Sequence, residues 1–241
     1  MNDKPLCLLG VDLAQTTDYT ALTVLERTTH DTGRTVTRKL SPRSSQAQHS
    51  TGGWGDLPAP DPRIKPRTHE QVSVREHHYA ARHLERLPIG TPYPAQVARI
   101  KALHDRLKTD TGRPPFLVVD QTGVGRPVVD SLRAVQLAPI AVTITGGDAV
   151  TRDLYDFRVP KRDLVSAVQV LLQAERLKIA RALPEAHTLT AELLAFKVSV
   201  SLKGHDSYGN DAGPWRENPH DDLVLAVALA AWYGEHLRTR L

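Results

Sequence analysis

Apolar residues along this chain fall into short runs whose period changes from segment to segment. Leu6 to Leu13, LCLLGVDL, is too apolar for an exposed strand, and Tyr19 to Arg27, YTALTVLER, is rich in β-branched and apolar residues. The polar link QTTD between them, Gln15 to Asp18, predicts a hairpin. From Thr28 to Glu70 the periodicity is lost. This segment contains SPRSSQAQHSTGGWGDLPAPDPRIKPR and predicts a long loop or a disordered insertion. Gln71 to Leu87 reads as extended chain. Pro92 to Gly112 carries Val97, Ile100, Leu103 and Leu107 at helical spacing, with Gly112 placed to close the helix.

Beyond Gly112 the pattern alternates. Phe116 to Val119 is a continuous apolar run that ends in Asp120 and a Gly-rich turn, followed by a helix from Pro127, a favoured first helical residue. Ile140 to Gly147 predicts another buried strand. Helix, strand, helix and strand in succession argue for an α/β fold with parallel pairing. Further helices are predicted over Lys161–Gln173, Pro184–Phe196 and His220–His236, with a polar loop, SLKGHDSYGNDAGPWRENP, before the last. There are no internal repeats. The expected organisation is one domain over residues 1–241 with a flexible insertion at 28–70.

Composition narrows the class. Of 241 residues, 40% are hydrophobic and 24% charged, which is ordinary for a globular chain. The net charge of +4 is compatible with nucleic acid but is a mild bias at this size. The single Cys7 excludes an internal disulfide and suits a reducing compartment. No apolar run reaches the ~18 residues of a membrane span. The first residues lack the charged start and small-residue cleavage site of a signal peptide. A cytoplasmic protein without membrane attachment is expected.

The candidate chemistry is acidic. Asp12 closes the first strand, Asp120 closes a central one, and Asp221 and Asp222 open the last helix, which is apolar at every position from Leu223 to Trp232. Each has an ordinary alternative. A strand-end Asp caps a turn, and an Asp at a helix start caps its N-terminus. Taken together they fit a different picture. Acids at strand ends face the crevice where open α/β sheets bind ligands. Carboxylates converging there repel one another, and Mg²⁺ or Mn²⁺, which prefer oxygen ligands, relieve that repulsion. Two such ions ~3.5–4 Å apart can support phosphodiester cleavage. His77, His78 and His83 lack the spacing of a zinc site. The glycines of GVGRPVVD, Gly123 to Asp130, lack the Lys and Ser or Thr of a phosphate-binding loop, so nucleotide binding by this chain is not expected.

The three segments GVDLAQTTDYTALTVLE, FLVVDQTGVGRPVVDSL and HDDLVLAVALA, in this order, resemble the nuclease domain of phage terminase large subunits. RHLERLPIGTPYP and VPKRDLVSAVQVLLQAERLKI add to the likeness. The resemblance implies a ribonuclease-H-like fold, with a mixed central sheet flanked by helices. It implies a metal-dependent endonuclease that cuts double-stranded viral DNA during packaging, with two Mg²⁺ or Mn²⁺ ions. It assigns Asp12 as the first-strand metal ligand, Asp120 as the second acid, and Asp221 and Asp222 as last-helix acids of which at least one binds metal. His220 and Asp18 become supporting neighbours. Lys161, Arg162, Lys203 and Arg216 are candidates for DNA phosphates, as are Arg126, Arg152, Arg158 and Lys197, with solvated surface charge the alternative for each. A complete large terminase also carries an ATPase motor, whose phosphate-binding loop this chain lacks. The implied partners are therefore double-stranded DNA and, in trans, an ATPase motor, a small terminase subunit and a portal, in the host cytoplasm. Competing readings are another ribonuclease-H-like nuclease, such as a junction resolvase or an RNA–DNA hybrid cleaver, or a non-catalytic DNA-binding packaging protein.

Overall fold

Apolar runs this dense need cover on both faces of a sheet, and the chain supplies it with helices. The structure is a computed structural model that describes residues 5–14, 18–39, 69–123, 125–202 and 221–237. Its strands are β1 (Leu6–Asp12), β2 (Thr20–Lys39), β3 (His69–Leu87), β4 (Phe116–Asp120), β5 (Ile140–Thr145), β6 (Thr151–Asp153), β7 (Asp156–Pro160) and β8 (Leu177–Ile179). Its helices are α1 (Tyr93–Thr111), α2 (Gly125–Ala134), α3 (Lys161–Gln173), α4 (Ala186–Leu202) and α5 (Asp222–His236). The strands form one sheet in the order β6-β7-β5-β4-β1-β2-β3-β8. β1 is antiparallel to β2 and parallel to β4, while β4, β5 and β7 run parallel in turn. This is the mixed α/β sheet flanked by helices that the resemblance implied.

Alternation along the strands sorts the core into two layers. Leu9 and Val11 of β1, Leu117 and Val119 of β4 and Ala141 of β5 pack with Val97, Ile100 and Leu103 of α1 and Val128, Val129 and Leu132 of α2. Leu8, Val118, Ile140 and Val142 face the opposite way and pack with α5 and with Leu164, Val168 and Leu171 of α3. α5 lies between the sheet and two other helices, touching β1 and β4 on one side and α3 and α4 on the others. Its unbroken apolar sequence follows from that position, because a helix covered all round has no polar face.

Several expected boundaries shift. β2 continues to Lys39 and β3 begins at His69, so the irregular stretch expected from Thr28 to Glu70 is strand at both ends. Residues 40–68 of that stretch lie outside the described residues. Thr29 to Glu76, the later part of β2 and the first part of β3, form one compact unit, and the described residues before and after them form another. α2 begins at Gly125, two residues before Pro127, and α4 extends to Leu202. β6, β7 and β8 had no signal in the hydrophobic pattern. β6 and β8 have three residues each, too few to show a period, and β6 is exposed throughout. The glycine predicted to end α1 does so: Gly112 sits at φ 75° and donates its N–H to the Lys108 carbonyl at 2.9 Å.

Candidate active site

Register and alternation bring the first two acids together. β1 and β4 are parallel neighbours with Val11 beside Val119, so Asp12 and Asp120 end adjacent strands at the same edge of the sheet. Both positions have the parity of Leu8 and Val118, the residues that face α5. Both side chains therefore lie on the α5 side. They are buried, at 7% and 9% exposure.

α5 brings the third acid. Gly10, also on this face, is the point where the helix meets β1. A Cβ there would overlap the carbonyl oxygen of Ala226 and press on the Thr23 methyl at 3.0 Å. Only glycine allows so close a backbone approach. Asp222 precedes Ala226 by one helical turn and is 4% exposed. The close contact thus delivers the start of α5 to the edge where Asp12 and Asp120 end.

The electrostatics record the convergence. Burial pushes the Asp12 carboxyl well above the usual carboxylate range, and the negative charges of Asp120, Asp222, Asp221 and Asp18 push it further. Burial also raises Asp221, with the Lys161 ammonium and its own backbone N–H acting against that rise and Asp18 adding to it. Every acid singled out in the sequence, Asp18 included, therefore acts on one site. Lys161 opens α3 as the cation facing Asp221. Arg162 donates to the Asp148 carboxylate at 2.7 Å and the Asp148 carbonyl at 2.6 Å. Lys203, Arg216 and His220 lie outside the described residues.

Two residues escaped the sequence reading. Thr122 donates its backbone N–H and its hydroxyl to Asp120 Oδ1, at 2.8 and 2.5 Å, and the hydroxyl oxygen accepts the Ile144 N–H at 2.8 Å. It ties the Asp120 carboxylate to β5. The signal was legible: an Asp followed two residues later by a hydrogen-bonding residue, at the head of a turn that Gly123 completes at φ 71°. The second is Glu192 of α4, 7% exposed, whose Oε2 accepts the Val224 N–H at 3.1 Å. The sequence offered Asp221 or Asp222 as the cap of the last helix. Asp221 stands at that position and makes no side-chain capping bond. Glu192 supplies the cap from a different helix. Nothing in its own neighbourhood, TAELLAF, announces this.

The donor set suits a hard divalent cation: buried carboxylates, with Asp12 raised by the charges of its neighbours. Among the described residues, no three His, Cys, Asp or Glu side chains are drawn to the spacing of a bound ion. The acids are gathered toward one end of the sheet without that spacing.

Fold and site together define an acidic crevice at the strand-end edge of a mixed α/β sheet. No family model matches the chain, and no curated protein matches it. Among solved structures, it is similar to the large terminase nuclease from thermophilic phage G20c with bound magnesium, at 19% identity over 94% of this chain and 80% of that one, with a TM-score of 0.49. It is also similar to that nuclease with bound zinc, again at 19% identity over 94% and 80%, with a TM-score of 0.45.

Proposed function

We propose that this chain is a divalent-metal-dependent endodeoxyribonuclease of the packaging type that its sequence resembles, cutting double-stranded DNA. The observation that carries the reading is the convergence of Asp12, Asp120, Asp221 and Asp222 from two strand ends and one helix start. A cap or a turn would need one of them. It would not need four, mutually repelling, at one edge.

Asp12, Asp120 and at least one of the last-helix pair would hold Mg²⁺ or Mn²⁺. Bound there, such ions activate water and stabilise the leaving oxygen of a phosphodiester. The chain's own residues do the rest. Thr122 fixes the rotamer of Asp120 through two hydrogen bonds to one oxygen. α5, locked against Gly10, sets the position of Asp222. A cavity of about 250 Å³ is lined by Gln121, Arg126, Arg152, Arg158, Asp153 and Asp156. Its three guanidiniums, interleaved with Asp153 and Asp156, could contact DNA phosphates without reading sequence.

The test is incubation of purified protein with supercoiled plasmid, with Mg²⁺ or Mn²⁺ and then with EDTA. Nicking and linearisation that need metal are expected, and Asp12→Asn and Asp120→Asn are expected to abolish both. An inert wild-type protein under both metals overturns the reading, and normal cutting by both variants overturns the site. Junction or RNA–DNA hybrid cleavage in preference to plasmid would move the protein to another ribonuclease-H-like class.

A further inference from the structure

The Glu192 cap has a partner of its own. Arg86 on β3 and Glu192 on α4 are both largely withdrawn from solvent, with side chains 19% and 5% exposed. Glu192 Oε2 holds the Val224 N–H, and its Oε1 faces Arg86 Nη1 at 3.9 Å. Arg86 is itself held from two further sides, by Glu185 at 3.5 Å and by the Tyr19 ring, 4.4 Å beneath the guanidinium. Tyr19 adjoins Asp18, and Val224 lies two residues after Asp222. The chain of contacts thus runs from the β1–β2 connection through β3 and α4 to the first turn of α5.

A helix N-terminus leaves backbone N–H groups to be satisfied, and the residue at the N-cap ordinarily does so. Here that residue is Asp221, and its carboxylate belongs to the acidic site. A side chain cannot both fold back onto its own helix and reach into the crevice. Resting on the nuclease reading, we propose that Glu192 is a positioning residue for the metal-binding acids: it caps α5 in place of Asp221, with Arg86 holding it there, and so leaves Asp221 and Asp222 directed at the site. Glu192 does not touch substrate. It acts through the backbone of α5.

The proposal separates cap from charge, and three variants test that separation. Glu192→Gln keeps an oxygen that can accept the Val224 N–H. Glu192→Ala removes the acceptor, and Glu192→Asp keeps the charge on an arm one methylene too short. Mn²⁺ alone is titrated into each by calorimetry, and plasmid nicking is followed far below each variant's melting temperature. Glu192→Ala and Glu192→Asp are expected to weaken Mn²⁺ binding on the order of 10-fold, as loss of a partner behind a metal ligand does, and to lower kcat while KM for plasmid stays put. Glu192→Gln is expected to hold wild-type affinity and kcat. Wild-type Mn²⁺ affinity in Glu192→Asp, or a loss in Glu192→Gln equal to that in Glu192→Ala, overturns the proposal. Should Glu192→Ala fail to fold, the Gln and Asp pair decides alone. Amide exchange in the first turn of α5 is read in parallel, slow in wild type and Glu192→Gln and fast in Glu192→Asp. If wild-type protein ignores Mn²⁺ altogether, the nuclease reading falls. Exchange that is equally slow in Glu192→Asp means that Glu192 is not the cap.

Discussion

Asp12 shows how costly a single buried acid can be to fold. Its carboxyl is buried among four other acids, and its ionised form is disfavoured in the native chain. Asp12→Asn removes that charge while keeping the shape. The variant is expected to melt at a higher temperature than wild type in EDTA at neutral pH, and to cut no DNA. Calorimetric scans of both proteins check this, and an unchanged or lower melting temperature would mean that the acids do not strain the fold. Thr122 makes the complementary case. Its hydroxyl serves Asp120 and the Ile144 N–H together. Thr122→Val keeps the volume, leaves that N–H without its acceptor, and is expected to cost about 1 kcal/mol. It should lower kcat with KM for DNA unchanged, and Thr122→Ser should restore the rate. A Val variant with wild-type kcat would show that Asp120 needs no second anchor.

At the scale of elements, α5 is the part that makes the site. Its ends are secured from outside. Glu192 meets the N-terminal N–H of Val224, and the buried Arg27 guanidinium donates to the Gly234 and Leu237 carbonyls at 2.5 and 3.4 Å. A negative group at the start and a positive one at the end also complement the helix dipole. Between them, Gly10 and Gly234 admit close neighbours. A Cβ at Gly234 would stand 2.7 Å from the Tyr79 ring. Gly10→Ala is expected to push α5 off β1, costing about 1–3 kcal/mol as overpacked cores do. Because the displaced turn carries Asp222, it should lose nicking activity beyond what its stability loss explains. Denaturant melts and nicking rates measured at 20–30 °C below the melting point would check this, and a variant that is destabilised but fully active would detach α5 from the chemistry.

At the scale of the whole molecule, the gathered acids couple folding to pH and, under the proposed function, to metal. Asp12 is raised by burial and by its neighbours, and Glu192 is raised from 4.5 to about 7, first by burial and then by Asp222, against the Val224 N–H and Arg86. An acid whose native pKa lies above its unfolded value binds more protons in the native state between the two, so stability falls as pH rises through that window. For Glu192 the window runs from 4.5 to about 7. The metal-free protein is therefore expected to lose melting temperature across it, and Glu192→Gln to flatten the decline. Mn²⁺ binds only the ionised acids, so it should raise the melting temperature more at pH 8 than at pH 5. Scans with Mn²⁺ and with EDTA at both values measure the difference. A metal increment that is equal at both, or larger at pH 5, would place the ion elsewhere.

What the sequence determined by itself was local. Period and composition marked β1, β4, β5, α1, α3 and α5, because an element buried on one face repeats its apolar residues with the backbone's period and one covered all round reads as an unbroken apolar run. They also marked Asp12, Asp120, Asp221 and Asp222, since a charge at the end of an apolar run is conspicuous. Only the tertiary structure decided what these acids do together. Strand register put Asp12 beside Asp120, and alternation turned both toward α5. The missing Cβ of Gly10 let that helix come close enough to add Asp222. The same holds for the residues that went unseen. Glu192 caps a helix 30 residues downstream of it, and β8 joins the sheet beside β3 from the far side of the chain. Such pairings are set by packing between segments distant in sequence, and no local pattern records them.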